Sequence, residues 1–243
     1  MPLWQETILL LGLALVLALI IKSLFVQAFY IPSPSMEPLF IKNDRILVQK
    51  VSYWGGSSPS RGDIVVFKDP GGWLPPSLQD APHGPLVSAL TKIGLYPSGG
   101  HLVKRVIGVA GDTIICCDEQ GRIAVNGTPL DESDYITPQA DCNGPMISSC
   151  DWSAGPVPDG HVFVMGDNRD NSGDSTVHMC RDHHPSCVPG DEFIDTELVV
   201  GKVFVLLWPG DRFTFIHRPE TFDAIDDRLR EPRAPVSAPT GRQ

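Results

Sequence analysis

The sequence predicts a mainly β protein: an antiparallel β-sheet domain preceded by one N-terminal transmembrane helix. The 243-residue chain contains 23 glycines and 23 prolines, and short runs rich in β-branched residues lie between them. So many turn-forming residues favour short strands over long helices. A single long apolar run near the N-terminus predicts the helix.

The apolar run extends without a charge from Thr7 to Ile21 and resumes after Lys22. A helix needs about 20 apolar residues to cross a bilayer, and the run is long enough if Lys22 extends its amine to the interface. A cleaved secretory signal is the alternative, but residues 1–6 lack the basic side chain typical of such signals. We therefore expect residues 1–27 to be an uncleaved anchor, with the membrane lipid bilayer as a partner.

Residues 28–218 form the predicted sheet domain. A Pro/Gly-rich insert at 69–100 and an irregular, cysteine-bearing excursion at 131–159 interrupt it. Asn126-Gly127 is a typical hairpin turn, and the charged, proline-rich residues 219–243 predict a disordered tail. The strands are predicted at residues 45–51, 63–68, 101–109, 112–115, 122–125, 160–165 and 197–208.

The net charge and the cysteines indicate partners and compartment. A net charge of -10 argues against a nucleic-acid partner, which requires a basic surface. The six cysteines all follow the apolar run, and an even number suits disulfides in an oxidising, extracytoplasmic compartment. Neighbouring strand residues point to opposite faces, which argues against a bond between Cys116 and Cys117. The favoured pairs close short loops: Cys142 with Cys150, and Cys180 with Cys187.

Ser33 and Ser35 follow the anchor on a segment that cannot continue a helix, because its prolines remove backbone donors and fix φ. A rigid juxtamembrane linker is one interpretation. The other is chemical: a serine hydroxyl becomes a good nucleophile when a base takes its proton. Lys104 lies in an apolar predicted strand and could be that base if burial keeps it neutral. The alternative for Lys104 is a solvated side chain.

Residues 165–175 form a third polar segment, dense in turn-forming groups. A plain surface turn or a calcium loop is the alternative, although the spacing of an EF-hand is absent. A histidine base for Ser35 is less favoured, because no Gly-x-Ser-x-Gly elbow surrounds this serine. The histidines considered are His101, His161 and His178. A metal site is a further alternative to a disulfide loop, with ligand types at His178, Cys180, His183, His184 and Cys187.

Four motifs, in this order, resemble the conserved boxes of bacterial type I signal peptidases (leader peptidases). They are Pro32–Pro38 after the anchor, Gly62–Phe67, Lys104–Asp112 and Gly166–Ser175. The insert and the Cys116-Cys117 pair are similar to the actinobacterial branch. The resemblance implies a membrane-bound Ser/Lys endopeptidase, with a β catalytic core and an extended β platform near the membrane surface. It also implies cleavage of signal peptides from secretory preproteins after small residues (Ala-x-Ala), through an acyl-enzyme.

The resemblance also assigns roles position by position. It implies that Ser35 is the nucleophile and Lys104 the general base. It places the Ser33 hydroxyl and the Ser35 backbone N–H in the oxyanion hole, and it gives Ser172 the role of orienting the lysine. Met36 is expected to help wall the site.

Asp174 corresponds to a supporting carboxylate, but the pattern departs from the family nearby. The family usually has arginine two residues after this aspartate, and this chain has Thr176. We therefore expect Asp174 to pair elsewhere, with Arg169 or Arg181. No cofactor and no metal ion are expected in this mechanism.

Overall fold

The computed structural model describes residues 2–74, 100–136, 151–180 and 188–230. Within them the helices are α1 (Leu3–Phe25) and α2 (Asp223–Arg230). The strands are β1 (Val26–Tyr30), β2 (Arg45–Gln49), β3 (Ile64–Lys68), β4 (His101–Val109), β5 (Ile114–Cys116), β6 (Ala124–Val125), β7 (Thr128–Pro129), β8 (Trp152–Ala154), β9 (His161–Met165), β10 (Ile194–Asp195), β11 (Val199–Trp208) and β12 (Thr214–Phe215).

Helix α1 runs directly into the first strand. The helix ends at Phe25, two residues before the predicted end of the anchor, and β1 begins at Val26. The leucines of its described part are exposed. When the described residues alone are considered, no helix is both long enough and apolar enough to span a membrane.

The larger sheet has the strand order β1-β2-β11-β3-β4-β9-β10, and β12 pairs with β11. Its strand pairs are antiparallel, which confirms the mainly β, antiparallel part of the predicted fold. Strand β4 lies between β3 and β9. Its register places Lys104 opposite Val65 and Arg105 opposite both Ile64 and Met165. Two adjacent cationic residues are thus built into the middle of the sheet.

The smaller sheet has the order β7-β6-β5-β8. Asn126 and Gly127 connect β6 to β7 with φ values of 52° and 75°, the left-handed conformation that a two-residue hairpin turn requires. The hairpin prediction is therefore confirmed. Ile114 of β5 and Phe163 of β9 belong to one buried cluster, so the two sheets share a core.

The structure corrects one cysteine prediction. Cys116 and Cys117 are joined by a disulfide, because β5 ends at Cys116 and the strand alternation does not extend to Cys117. Cys180 is also disulfide-bonded. The other cysteines, including the expected partner Cys187, lie outside the described residues, so the two predicted pairs remain predictions.

Two segments expected to be irregular are partly ordered. Within the 131–159 excursion, β8 pairs with β5. The expectation of disorder is wrong for 219–230, where Phe222 and Ile225 are 0% and 1% exposed and belong to the shared core. These apolar residues are three apart, so they face one side of the helical turn despite the charges around them. Residues 231–243 lie outside the described part of the chain.

Candidate active site

The segment between β1 and β2 carries the two candidate serines. Its ends are joined because the Ile31 N–H donates to the Asp44 carbonyl at 2.9 Å and the Asn43 N–H donates to the Ile31 carbonyl at 2.9 Å. The hydroxyl oxygens of Ser33 and Ser35 are 3.2 Å apart, so one donates a hydrogen bond to the other. Ser35 is 8% exposed. The local fold therefore holds the two hydroxyls side by side in a largely enclosed position.

Met36 was expected to wall the site and follows Ser35 directly. Its side chain is 1% exposed and packs with Phe29 and Phe40 in the apolar cluster beneath the segment. Burial of such a side chain is worth about 1.5–3 kcal/mol. Met36 thus anchors the serine segment to the core, whereas its contribution to the wall of the site stays a prediction.

Asn168 holds the backbone of the serine segment at two points. Its N–H donates to the Ser35 carbonyl at 3.1 Å, and its side-chain amide donates to the Pro34 carbonyl at 3.1 Å. The Pro34 carbonyl and the Ser35 N–H belong to one planar trans peptide and point in opposite directions. Fixing this carbonyl therefore fixes the direction of the N–H assigned to the oxyanion hole. The sequence shows Asn168 inside a motif but gives no signal that separates it from its neighbours.

Gly166 allows three segments to meet. A Cβ at this position would lie 2.3 Å from the Ser35 carbonyl oxygen and 2.3 Å from Ser172 Oγ, so only glycine permits this approach. The Gly166 N–H also donates to Asp174 Oδ2 at 2.9 Å. The structure thereby brings Ser35, Ser172 and Asp174 together around one residue.

The Asp174 carboxylate is buried and accepts hydrogen bonds on both oxygens. Oδ2 accepts from the Ser172 hydroxyl at 2.6 Å, in addition to the Gly166 N–H. Oδ1 accepts from the Thr176 hydroxyl at 2.7 Å and from the Thr176 N–H at 3.1 Å. The residue that stands in the usual position of arginine is therefore itself a partner of Asp174.

The expectation that Arg169 pairs with Asp174 is wrong. Arg169 forms a two-pronged ion pair with Glu132, with N–O distances of 2.8 and 2.6 Å. Arg181, the other expected partner, lies outside the described residues. The sequence argument looked for a second charge, whereas the fold supplies neutral donors from the same turn.

Lys104 is 3% exposed at the centre of the larger sheet, which rules out the solvated alternative. Burial lowers its pKa to about 8, although the negative charges of Asp174 and Asp167 act in the opposite direction. These two interactions also show that Lys104 lies close enough to both carboxylates for their charges to act on it. A neutral amine is therefore accessible near pH 8, as a general base requires.

Arg105 points to the opposite face of β4 and is 1% exposed. It makes a two-pronged ion pair with Asp167 at 2.7 and 2.6 Å, and its guanidinium lies 4.3 Å from the centre of the Tyr135 ring. The side chain of Arg169 also donates to the Gly166 carbonyl at 3.0 Å. These buried contacts fix the segment from Gly166 to Arg169, on which both the glycine approach and the Asn168 hydrogen bonds depend.

The three histidines considered as bases make other contacts. The His161 Nδ1 lies 2.9 Å from a nearby backbone carbonyl. The ring of His101 packs against Phe29, with centroids 5.3 Å apart. The ring of His178 stacks on Trp73 at 4.2 Å, and burial lowers its pKa. None of these contacts involves Ser35, so none of them supports a histidine base, and the role of Lys104 stays a prediction.

Two of the alternative metal ligands, His178 and Cys180, lie within the described residues. Across the described ranges, no three His, Cys, Asp or Glu side chains are grouped as metal ligands. His183, His184 and Cys187 belong to the alternative ligand set and lie outside those ranges. The absence of a metal ion thus stays a prediction.

Comparison with known proteins identifies the family. The model of the signal peptidase family, peptidase S26, matches residues 4–208. This chain belongs to that family. Signal peptidase I of Mycobacterium tuberculosis is 38% identical over 83% of this chain and 71% of its own length. Probable signal peptidase I of Mycobacterium leprae is 34% identical over 87% and 78% of the two chains. Probable signal peptidase I-1 of Synechocystis is 34% identical over 88% and 91%.

The family assignment confirms the resemblance inferred from the four motifs. It identifies the chain as a serine endopeptidase that cleaves signal peptides, and it gives secretory preproteins as the kind of substrate. The mycobacterial relatives agree with the expected actinobacterial branch.

Proposed function

We propose that this signal peptidase cleaves preproteins with a Ser35–Lys104 dyad, after small residues of the Ala-x-Ala type. The observation that carries the proposal is the burial of Lys104, which lowers its pKa to about 8. The enclosed Ser35 hydroxyl and the contacts around Gly166 support it. A charged lysine could not accept a proton, so the depressed pKa is what makes this residue type usable as a base.

In the proposed reaction the neutral Lys104 amine accepts the Ser35 proton while Ser35 Oγ attacks the scissile carbonyl. The resulting ammonium gives that proton to the leaving amine, which leaves an acyl-enzyme. Water then attacks the ester, gives a proton to Lys104, and Ser35 recovers its hydroxyl proton as the acid product departs. The Ser33 hydroxyl and the Ser35 N–H stabilise the oxyanion in both steps, at about 3–4 kcal/mol for each donor.

Ser172 is proposed to orient the lysine. Its hydroxyl proton is used in the bond to Asp174, so its oxygen lone pairs remain available to accept from the Lys104 amine. An amine that donates to Ser172 can direct its own lone pair towards Ser35. In this arrangement Asp174 acts on Lys104 through Ser172 and does not touch the substrate.

We also propose that α1 is a single-pass anchor in the cell membrane, with the peptidase domain on the extracytoplasmic face. The uncharged run from Thr7 to Ile21 and the exposed leucines of α1 support the anchor. The disulfides at Cys116–Cys117 and Cys180 suit an oxidising compartment. Protease added to intact spheroplasts should digest the domain; full protection that is lost only on lysis would contradict the topology.

The dyad is tested with purified full-length protein and a precursor bearing alanine one and three residues before the cut. Ser35→Ala and Lys104→Met should each abolish cleavage, and the double variant should be no worse, because the two residues act as a unit. Ser133→Ala and Lys68→Met remove a hydroxyl and an amine at exposed positions and should leave cleavage unchanged. Near-normal cleavage by Lys104→Met would exclude Lys104 as the base.

Two further measurements address the alternatives. A chelator should leave cleavage unchanged; loss of activity that zinc restores would instead favour the metal site. A precursor with a large side chain directly before the cut should not be processed, whereas equal processing of both precursors would contradict the Ala-x-Ala specificity.

A further inference from the structure

We propose that Thr176 is a positioning residue of the active site, whose hydroxyl fixes the Asp174 carboxylate and thereby sets the environment of Lys104. This inference rests on the proposed Ser35–Lys104 function. It assigns a role to the position at which the chain departs from the usual arginine of the family.

The two oxygens of the Asp174 carboxylate accept hydrogen bonds from different donors. Oδ2 is held by the Ser172 hydroxyl at 2.6 Å and the Gly166 N–H at 2.9 Å. Oδ1 is held by the hydroxyl and N–H of Thr176 at 2.7 and 3.1 Å. Thr176 and Asp174 are each 2% exposed, so water cannot readily replace a lost donor. Without the Thr176 hydroxyl the carboxylate can rotate about its side-chain bonds, and its contact with Ser172 loosens.

In the described part of the chain, the donors to Asp174 are all neutral, which affects the pKa of Lys104. An arginine would place a positive charge beside the carboxylate and reduce its attraction for the lysine proton. Within the described residues, hydrogen bonds from neutral groups spread the negative charge, and that charge raises the pKa of Lys104 against the effect of burial. Removing one donor should therefore strengthen the attraction and make the lysine harder to deprotonate.

The other charged or titratable groups near Lys104 and Asp174, where the structure describes them, have ion-pair partners of their own or are neutral. Asp167 acts on Lys104 in the same direction but is ion-paired with Arg105. Arg169 is ion-paired with Glu132. His178 interacts with Asp174, but burial lowers its pKa below 6.5, so it is neutral in the range where Lys104 titrates. Opposite Lys104, β3 presents the uncharged Val65.

The test compares pH–rate profiles of full-length variants on the Ala-x-Ala precursor. Thr176→Val should lower kcat/KM about tenfold, since it removes a buried hydrogen bond to a charged group. It should also move the ascending limb to higher pH by about half a unit. Thr176→Ser keeps the hydroxyl and should restore both. Thr196→Val is the control: it removes a hydroxyl that donates to the Gly160 carbonyl at 2.9 Å, outside the site. It should change neither kcat/KM nor the position of the ascending limb.

A double variant shows whether Thr176 acts through Asp174. Asp174→Asn removes the negative charge and should move the ascending limb to lower pH, the opposite direction. Adding Thr176→Val to Asp174→Asn should then change neither the rate nor the limb. This background also keeps the test decisive if Thr176→Val alone does not fold, because no buried carboxylate is left short of a donor.

Three results would overturn the proposal: an unchanged profile in Thr176→Val, an unchanged defect in Thr176→Ser, or a full added effect in the Asp174→Asn background. If the parent protein itself does not cleave the precursor, the proposed dyad fails instead. Titration of the Lys104 amine by ¹³C NMR then still tests Thr176, because its pKa should rise in Thr176→Val whether or not the precursor is cut.

Discussion

Lys104 and Arg105 are neighbours on β4 and are buried to nearly the same extent, at 3% and 1% exposure, yet their surroundings differ. Arg105 meets the Asp167 carboxylate with two hydrogen bonds and lies over the Tyr135 ring. Lys104 lies opposite Val65, and the carboxylate of Asp174 near it is occupied by neutral donors. The guanidinium keeps its charge in any case and is ion-paired, whereas burial lowers the pKa of the lysine to about 8.

The two faces of the strand also depend on each other. The ion pairs on the arginine face hold the segment from Gly166 to Arg169. The same segment presents Gly166 and Asn168 to the Ser35 backbone. The ion pairs on one face of β4 thus support the segment that contacts the candidate serines on the other side.

The largest expected effect on stability comes from breaking the buried ion pair between Arg105 and Asp167. Asp167→Ala leaves Arg105 buried without its carboxylate, and such a loss costs about 3–5 kcal/mol of unfolding free energy. Urea unfolding measures it. Arg122→Ala is the matched control, because it breaks an exposed pair with Asp118, keeps the backbone hydrogen bonds to that carboxylate, and should change stability little. Equal small losses in both variants would contradict the distinction between the two kinds of ion pair.

Replacement of Lys104 should change the unfolding free energy in the opposite direction. Since the pKa of Lys104 falls from 10.5 to about 8 on folding, the unfolded chain binds more protons between these values. Stability therefore rises with pH through this window, and below pH 8 the full cost of burying the amine is present. Lys104→Met removes that cost and should raise the unfolding free energy by roughly 3 kcal/mol below pH 8, with the gain disappearing near pH 10.5.

Unfolding of the parent and Lys104→Met in parallel across pH 6 to 11 tests this prediction. The shape of the difference curve is the decisive feature, because a simple packing defect would shift stability equally at every pH. A variant that is less stable than the parent at neutral pH, with no pH dependence, would show that burying the Lys104 amine carries no such cost and would contradict the lowered pKa.

A smaller effect, on kcat, is expected at Asn168, which joins the segment from Gly166 to Arg169 to the serine segment. Asn168→Ala removes the hydrogen bond to the Pro34 carbonyl, leaves the peptide of the oxyanion donor less fixed, and should lower kcat about tenfold. The pH–rate profile should not move, since Lys104 is untouched. Asn171→Ala alters an exposed asparagine of the same motif and should be silent. A shifted pH profile in Asn168→Ala would mean that it acts on the base rather than on the oxyanion hole.

The sequence predicted the larger sheet well where its strands are continuous runs of β-branched residues. The β-branched runs of β2, β3, β4 and β11 are long enough to be recognised from composition alone. Strand β1 was missed because it continues the apolar run of α1, and helix α2 was missed because its two buried side chains lie among charges. In both cases tertiary packing, and not local pattern, determines the structure.

In the candidate site, too, the sequence predicted some functional residues and missed others. Ser35 and Lys104 were predicted because their residue types and motifs carry chemical meaning. The roles of Gly166 and Thr176 depend on which backbone approaches which side chain, and a sequence without its fold does not contain that information. The expected partner of Asp174 was wrong because charge was used as the guide, whereas a buried carboxylate can be satisfied by hydroxyl and amide donors.

The measurement that tests the account most directly is the titration of the Lys104 amine itself. In the full-length protein, with ¹³C-labelled lysine and Lys104→Met to identify the signal, the amine should titrate with a pKa of about 8. The ascending limb of kcat/KM should have its midpoint at the same pH. A pKa near the ordinary 10.5, or a rate profile that does not follow the titration of this amine, would contradict a neutral Lys104 acting as the base.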